Sequence, residues 1–176
     1  MTDSTAPAPP AGLTPPAGPD ITVRPVRPSD AARLARFYAD LSPEARHRRF
    51  MATRAGITTA EARAWTRVDH CHREGFVAVA AGAGRTRPIV GHLCLEPHGD
   101  RCAEFAIVVA DAVQHQHIGS ALLAAGLAWA RANGLVDLEA VTEPDNLAML
   151  HLAQASDTWT TVGPVAGGTV PLTLPT

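Results

Sequence analysis

The sequence predicts an α+β fold in which a mixed sheet carries helices in a three-layer α/β/α arrangement. The first observation is the order of elements indicated by the pattern, which is β, α, α, α, β, β, β, α, β, α, β, β. The second is residues 103–135, where a buried strand, a polar loop and an amphipathic helix follow one another. The third is composition, because 46% apolar and 18% charged residues are typical of a globular protein.

The chain divides into a tail and one domain. Residues 1–20 are rich in proline, alanine and threonine, so we expect a disordered segment without a core. Residues 21–176 are long enough for a single folded domain. The start lacks a secretory signal, and no apolar run reaches about 18 residues, so a membrane is not an expected partner.

Charge and cysteine usage narrow the partners and the compartment. A net charge of −2 leaves no basic footprint for nucleic acid. Cys71, Cys94 and Cys102 are odd in number and show no metal or redox spacing, which fits a reducing cytoplasm. We therefore expect a cytoplasmic protein, and a homodimer is compatible with the sequence.

The first elements are an edge strand and three helices. Two prolines within residues 21–30 lack the backbone N–H that a strand donates to its neighbour, which favours an edge position. Ser29-Asp30 is expected to cap a helix ending near Leu41. Ser42-Pro43 starts a second helix, and Thr58 or Thr59 starts a third.

The second of these helices carries a basic turn, Arg46-His47-Arg48-Arg49. It could steer an acidic acceptor or the phosphates of a cofactor. The simpler interpretation is a solvated helix face.

A short run, Asp69-His70-Cys71-His72, has the residue types of a metal site. No partner pair follows at a usual ligand spacing, so we predict no metal centre here. A β-hairpin then spans residues 75–96, with a packed or surface position expected for His92.

Residues 102–110 are almost entirely apolar, as expected for a central strand covered on both faces. Glu104 is the one ionisable side chain in this run. A carboxylate in such a strand is costly unless it is hydrogen-bonded or functional. The alternative is that Glu104 lies near the strand end and is solvated.

The helix that follows has an apolar stripe and an expected left-handed cap at Gly134. A strand over 136–141 and a helix capped by Asp145 or Asn146 come next, with Leu147, Leu150 and Leu152 expected inward. Two short strands end the chain. The loop between the strand and the first of these helices offers backbone donors at a helix start, which is a site for phosphate groups.

Several blocks resemble the GNAT superfamily of N-acetyltransferases over residues 21–155. Gln114-His115-Gln116-His117-Ile118-Gly119 is similar to its acetyl-CoA-binding pattern of Gln or Arg, two residues, Gly, one residue, Gly or Ala. RPVRPSD, LSPEARHRRF, AEFAIVV and DNLAMLHLA resemble the protein lysine acetyltransferase subgroup. The resemblance implies a mostly antiparallel central sheet of the GNAT type.

The resemblance also implies an activity and a set of roles. The protein would transfer an acetyl group from acetyl-CoA directly to a primary amine, with a protein lysine as favoured acceptor and a small-molecule amine as an option. Glu104 matches the general base of the subgroup. The implied cofactor-binding residues are Ile107, Val108 and Val109 along pantetheine, Gln114, His115, Gln116, His117, Ile118, Gly119 and Ser120 around pyrophosphate, and Asn146 beside pantetheine. The thioester oxygen would accept a hydrogen bond from a strand amide near Val109.

Three positions depart from the family pattern. His117 replaces the leading glycine of the motif, the tyrosine that protonates the leaving thiolate in many members would fall near Ala153, and Ser156-Asp157-Thr158-Trp159 replaces a Gly-Phe pair. The alternative function is therefore a degenerate module that acts through acyl-CoA or protein binding.

Overall fold

The computed structural model describes residues 21–81, 87–155 and 161–176. Within these ranges the strands are β1 (Ile21–Pro25), β2 (Glu74–Ala80), β3 (Ile89–His98), β4 (Cys102–Val109), β5 (Asp137–Thr142), β6 (Thr161–Val162) and β7 (Val170–Pro175). The helices are α1 (Ala31–Asp40), α2 (Pro43–Phe50), α3 (Thr59–Thr66), α4 (Ile118–Ala132) and α5 (Leu147–Gln154). The predicted tail and the Ser156–Trp159 departure fall outside the described residues.

The strands form one sheet in the order β1-β2-β3-β4-β5-β7-β6. All neighbours pair antiparallel except β4 and β5, which pair in parallel. The prediction of a mixed, mostly antiparallel sheet is confirmed, as is the edge position of β1.

Helices cover both faces of the sheet, which confirms the three-layer arrangement. On one face, α1, α2 and α3 pack around buried Leu34, Phe37 and Tyr38 against β2, β3 and β4. On the other face, α4 packs against the same strands and β5 through a second cluster that includes Leu93, Leu122 and Leu138.

The starts of the helices on the first face follow from their capping residues. The Ser42 hydroxyl accepts a hydrogen bond from the Ala45 amide at 3.0 Å and so begins α2, whereas Thr58 begins α3 in a reciprocal capping box with Glu61. The expectation for Ser29-Asp30 was wrong in one respect. The buried Asp30 carboxylate does not cap α1 but binds the Arg24 and Arg33 guanidiniums and the Arg27 amide.

The predicted stripe of α4 is buried throughout. Gly126 lies on this stripe where a Cβ would come within 2.6 Å of Leu93 Cδ2, so any larger residue would require the buried Leu93 side chain to move. Gly134, with φ of 72°, follows the helix in the predicted left-handed conformation.

The interpretation of α5 was correct in part. Leu150 and Leu152 are half-buried and pack against the core cluster as expected. Leu147 is 60% exposed instead, because the start of this helix borders an open cleft. Asn146 is its cap, accepting a hydrogen bond from the Met149 amide at 3.2 Å.

The run at residues 69–72 forms a turn. The Asp69 carboxylate accepts hydrogen bonds from the amides of Cys71, His72 and Arg73. Among the described residues, no group of three histidine, cysteine or acidic side chains is placed to hold a metal. No helix in the described ranges is long and apolar enough to cross a membrane.

Candidate active site

The sheet opens at its centre, between the two parallel strands. β4 and β5 pair only at Cys102 with Asp137, Ala103 with Leu138, and Glu104 with Glu139. Both strands continue beyond this point, β4 to Val109 and β5 to Thr142, without pairing to each other. A gap therefore lies along the second half of β4, and one edge of that strand is left without a partner strand.

Strand geometry identifies which backbone groups face this gap. The Ala110 amide donates to the Val90 carbonyl of β3 at 2.8 Å. Because amide and carbonyl groups alternate between the two edges of a strand, those of Val109 and Ile107 point to the gap. The Gln114 side chain confirms this direction at Val109, since its Nε2 donates to that carbonyl at 3.3 Å.

A cleft of about 640 Å³ occupies the gap, a size within the usual range of small-molecule sites. Its walls come from β4, the loop and first turn of α4, the first turns of α5 and the inner face of α2. Of the residues named from the sequence, the lining includes Ile107, Val108, Val109, Gln114, His115, His117, Ile118, Gly119, Ser120 and Asn146.

Two predicted site residues stand apart from this lining. The side chain of Gln116 is exposed and does not line the cleft. Glu104 is also outside the lining, on the other side of the point where the strands separate.

The loop before α4 holds two histidines in left-handed conformations. His115 has φ of 62° and His117 has φ of 59°. These angles cost L-residues roughly 1–2 kcal/mol each and are most easily reached by glycine. His117 thus has a backbone conformation that favours glycine, and His117 also lines the cleft.

The start of α4 leaves amides free for a ligand. The amides of Ile118, Gly119 and Ser120 precede the first hydrogen bond of the helix, in which Ala121 donates to the His117 carbonyl. Ile118 as a whole is 1% exposed and its side chain packs in the core. The Gln114 amide, in contrast, already donates to the Asp111 carbonyl.

Asn146 lies on the opposite wall and has a structural role as well. Its Oδ1 caps α5 and lies 3.5 Å from Arg48 Nη1 of α2. The side-chain nitrogen, Nδ2, makes no hydrogen bond within the described residues, so it can donate into the cleft.

Glu104 is exposed, so the alternative of a solvated residue in this strand is confirmed and the strand is not covered on both faces at this position. Its neighbours explain the exposure. Glu96 of β3 and Glu139 of β5 lie directly opposite it, so three carboxylates form a row across one face of the sheet. Glu96 pairs with Arg73 at 2.5 Å and Glu139 with His98 at 3.1 Å. Glu104 has no ion pair among the described residues.

A feature not singled out from the sequence lies at the inner end of the cleft. Arg49 of α2 is half-buried and turns inward between Tyr38 and Cys94, with its Nε 3.2 Å from the tyrosine hydroxyl and its Nη2 3.0 Å from the sulfur. The rings of Phe50 and Trp65 lie 5.2 and 5.3 Å from its guanidinium carbon. Only the aromatic residue after the basic turn hinted at this arrangement in the sequence.

The groups around Arg49 are neutral near pH 7. Burial raises the pKa of Tyr38 to about 12 and also raises the pKa of the Cys94 thiol. Burial, assisted by the Arg49 charge, lowers the pKa of His92 to about 3. The Tyr38 hydroxyl lies 3.0 Å from His92 Nδ1, which extends the network into the core.

The rest of the basic turn is divided among local partners. Arg48 pairs with Glu44 at 2.6 Å, His47 with Glu143 at 3.0 Å, and Arg46 donates to main-chain carbonyls of Ala39 and Leu41. Its four residues therefore do not act as one basic patch.

Comparison with known proteins agrees with this geometry. Residues 34–156 match the model described as the acetyltransferase (GNAT) family. The GNAT domain of S. lividans PAT is 26% identical, with 88% of this chain and 89% of that chain covered and a TM-score of 0.77.

Two further structures contain acetyl-CoA. Salmonella typhimurium yncA, determined with its cofactor acetyl-CoA, is 20% identical, with coverages of 89% and 94% and a TM-score of 0.70. A GNAT superfamily phosphinothricin acetyltransferase from Sinorhizobium meliloti, in complex with acetyl-CoA, is 16% identical, with coverages of 89% and 88% and a TM-score of 0.67. At identities of 20% and 16%, these two similarities show that the proteins share a fold with this chain.

Proposed function

Since this chain belongs to the acetyltransferase (GNAT) family, we propose that it transfers an acetyl group from acetyl-CoA directly to a primary amine. The favoured acceptor is a protein lysine. The free thiols of Cys71, Cys94 and Cys102 support a cytoplasmic location as part of this proposal.

The observation that carries the proposal is the unpaired edge of β4. Among the described residues, the amides and carbonyls of Ile107 and Val109 have no partner strand, yet the cleft in front of them is walled by other elements. Backbone groups in such a position are satisfied by a ligand or by water. The pantetheine arm carries amide groups that can extend the sheet, and the free amides of Ile118, Gly119 and Ser120 suit the pyrophosphate.

The reaction needs a neutral amine and a polarised thioester. At a reference pKa near 10.4, deprotonating a lysine at pH 7 costs roughly 4–5 kcal/mol. The amine nitrogen then attacks the thioester carbon, and the thiolate of CoA leaves and is protonated from solvent. The amide of Ile107 or Val109 donates to the carbonyl oxygen as negative charge develops on it.

Glu104 acts as the general base through water. It precedes Ile107 by three residues, which is about 10 Å along a strand, too far for direct transfer from an amine bound at that amide. The exposure of Glu104 supports a water-mediated route, and the distance favours Ile107 over Val109 as the amide that polarises the oxygen.

The carboxylate row supports a cationic acceptor. Glu96, Glu104 and Glu139 present negative charge beside the point where the strands separate, and this attracts a protonated amine before its deprotonation. Such a row suits a lysine on a protein and also a small cationic amine, so the acceptor must be tested with both.

The first experiment follows release of free thiol from acetyl-CoA with lysine peptides and with small amines. We expect Glu104→Gln to lower kcat roughly 10²- to 10³-fold, because a general base contributes about this much, while acetyl-CoA affinity changes little. Glu96→Gln is the matched control, since it removes one charge from the same row but not the proposed base. Equal losses in both variants would show that Glu104 acts only through its charge.

A degenerate module remains the second candidate, and His117 is the observation that favours it. The imidazole occupies part of the wall against which the phosphates would lie. Thermal unfolding with acetyl-CoA separates the two functions, because a ligand that binds the native state raises the midpoint. An unchanged midpoint at millimolar acetyl-CoA would contradict the acetyltransferase proposal.

A further inference from the structure

The guanidinium of Arg49 is a positive charge on the wall of the cleft that makes no ion pair with the described residues, although Glu104 acts on it from a longer distance. Among the described residues, no carboxylate lies within 4.0 Å of it, although Arg24, Arg33, Arg36, Arg48, Arg54 and Arg73 all have acidic partners at that distance. Placing an unpaired charge in a partly buried position is unfavourable unless it is compensated by hydrogen bonds or a ligand.

The existing contacts of Arg49 orient its guanidinium without neutralising it. Nε and Nη2 donate to Tyr38 and Cys94, and both partners are uncharged near pH 7. The faces of Phe50 and Trp65 hold the plane of the group. These contacts restrict the side chain before any ligand arrives, which reduces the entropy lost on binding.

One side of the guanidinium remains available. Nη1 makes no hydrogen bond within the described residues. This atom is also not fully buried. Arg49 lines the same cleft as Ile107, Val108 and Val109. Arg49 therefore belongs to the wall of the cavity that would hold the acyl end of the cofactor, and it has a donor that no described residue uses.

The sheet register gives the separation between this donor and the strand edge. Arg49 Nη2 contacts Cys94 of β3, and Cys94 lies opposite Ala106 of β4. The guanidinium thus stands over β3, and its separation from the gap-facing backbone of β4 is at least one strand spacing of about 4.8 Å. An acetyl group is too short to cross this interval, whereas a four-carbon chain can span it. Ala106 leaves the intervening space open because its side chain is a single methyl group.

We propose that Arg49 receives the terminal carboxylate of a dicarboxylic acyl group, so that the protein also transfers acyl groups of the succinyl type from CoA to amines. The inference rests on the proposed use of acyl-CoA in this cleft. In the reaction, the amine nitrogen forms a bond to the thioester carbon and the carbon–sulfur bond breaks. CoA leaves as a thiolate and takes a proton from solvent, while Glu104 accepts the amine proton through water. The distal carboxylate stays ionised on Arg49 throughout.

The decisive comparison is between succinyl-CoA and butyryl-CoA, because their acyl chains have equal length and differ in the terminal charge. With one amine acceptor and the wild-type chain, we expect kcat/KM for succinyl-CoA to exceed that for butyryl-CoA roughly 10- to 100-fold, the range of a charge-assisted hydrogen bond. The ratio should fall as salt is raised. Equal use of the two donors would overturn the proposal.

Variants locate the preference at one residue. Arg49→Gln should abolish the succinyl preference, and Arg49→Lys should keep part of it. Arg54→Gln is the matched control, because Arg54 lies over the same Phe50 ring at 4.5 Å but pairs with Glu61 and is outside the cleft. A preference that survives in Arg49→Gln would overturn the assignment. So would a loss confined to acceptors that carry a carboxylate, since Arg49 would then bind the acceptor.

A binding measurement keeps this inference separate from the proposed function. Calorimetric titration of the full chain with succinyl-CoA and butyryl-CoA reports the preference whether or not turnover occurs. Use of acetyl-CoA with no preference for succinyl-CoA would contradict this inference alone. Failure to bind any acyl-CoA would contradict this inference and the proposed function.

Discussion

His117, in the loop before α4, has an unfavourable backbone conformation and also lines the cleft. It adopts φ of 59° without a hydrogen bond from its side chain to the helix start. His117→Gly removes a left-handed penalty of about 1–2 kcal/mol and adds an unfolded-state entropy of about 0.5–1 kcal/mol. We therefore expect the free energy of unfolding in urea to rise by at most about 1.5 kcal/mol, with several-fold tighter binding of acetyl-CoA as the side chain leaves the cleft.

Met51 provides the control for this substitution. It has φ of 52° at the end of α2 and lies outside the cleft, so Met51→Gly should give a similar change in stability and no change in affinity. Weaker acetyl-CoA binding by His117→Gly would show that the imidazole contacts the cofactor.

Single residues were predicted from the sequence to different degrees. The position of the capping Ser42 and the left-handed Gly134 follow from local chemistry and were predicted correctly. The exposure of Glu104 was one of two alternatives, because the apolar pattern of a strand does not show which of its positions the helices cover. Arg49 could not be singled out either, since its direction depends on how α2 lies across the sheet.

At the scale of elements, α4 contributes both to the core and to the wall of the cleft. Its buried stripe holds it to β3, while its first turn faces the cleft. A Cβ built on Gly119 would meet only the Leu152 side chain, at 3.6 Å, which is an ordinary contact. The protein fold thus does not require glycine at this position, and the expected reason for it is the approach of the cofactor.

Gly119→Ala should therefore change stability and binding in opposite directions. Alanine in place of glycine in a helix raises the free energy of unfolding by about 0.5–1 kcal/mol. The added methyl group narrows the site for pyrophosphate, so we expect acetyl-CoA affinity by calorimetry to fall about tenfold. Gly126→Ala is the contrasting case, because its Cβ would collide with Leu93 and lower the free energy of unfolding. Unchanged affinity in Gly119→Ala would remove this turn from the cofactor site.

The pattern of each element was easier to predict than its surroundings. The stripe of α4 repeats every three or four residues and is buried as expected. The apolar residues of α5 have a similar pattern, yet Leu147 is exposed because the helix borders the cleft. Periodicity identifies an apolar face, but it does not distinguish a core from the wall of a binding site.

At the scale of the whole molecule, two apolar clusters pack on opposite faces of one sheet. The gap between β4 and β5 lies in that sheet. The order of elements was sufficient to predict layers and a mixed sheet, because each helix must bury its apolar face. The extent of β4–β5 pairing was not predictable from local pattern. It depends on β5 pairing with β7 over its full length and on α2 crossing β4, which are long-range contacts.

The cluster beneath α1, α2 and α3 makes the stability of the whole fold sensitive to acid through His92. This side chain is fully buried between Tyr38 and Trp65, and its pKa is lowered to about 3 from an ordinary value near 6.5. Because the unfolded chain takes up a proton at higher pH than the folded one, the contribution is intact above pH 6.5 and is lost as the pH falls toward 3. The expected slope is about 1.4 kcal/mol per pH unit between these limits.

His92→Gln should flatten this dependence between pH 6.5 and 4.5, where urea unfolding can be measured, even though the loss of packing lowers stability at pH 7. Other buried carboxyl groups do not mimic the effect in this window. Despite its burial, the hydrogen bonds of Asp30 with Arg24 and Arg27 lower its pKa, so its contribution is lost only at more acidic pH. Burial raises the pKa of Glu74, which makes acidification stabilising rather than destabilising for that group. The exposed His151 supplies the control, since His151→Gln should keep the wild-type slope. An equal slope in His92→Gln and the wild type would show that another group governs acid unfolding.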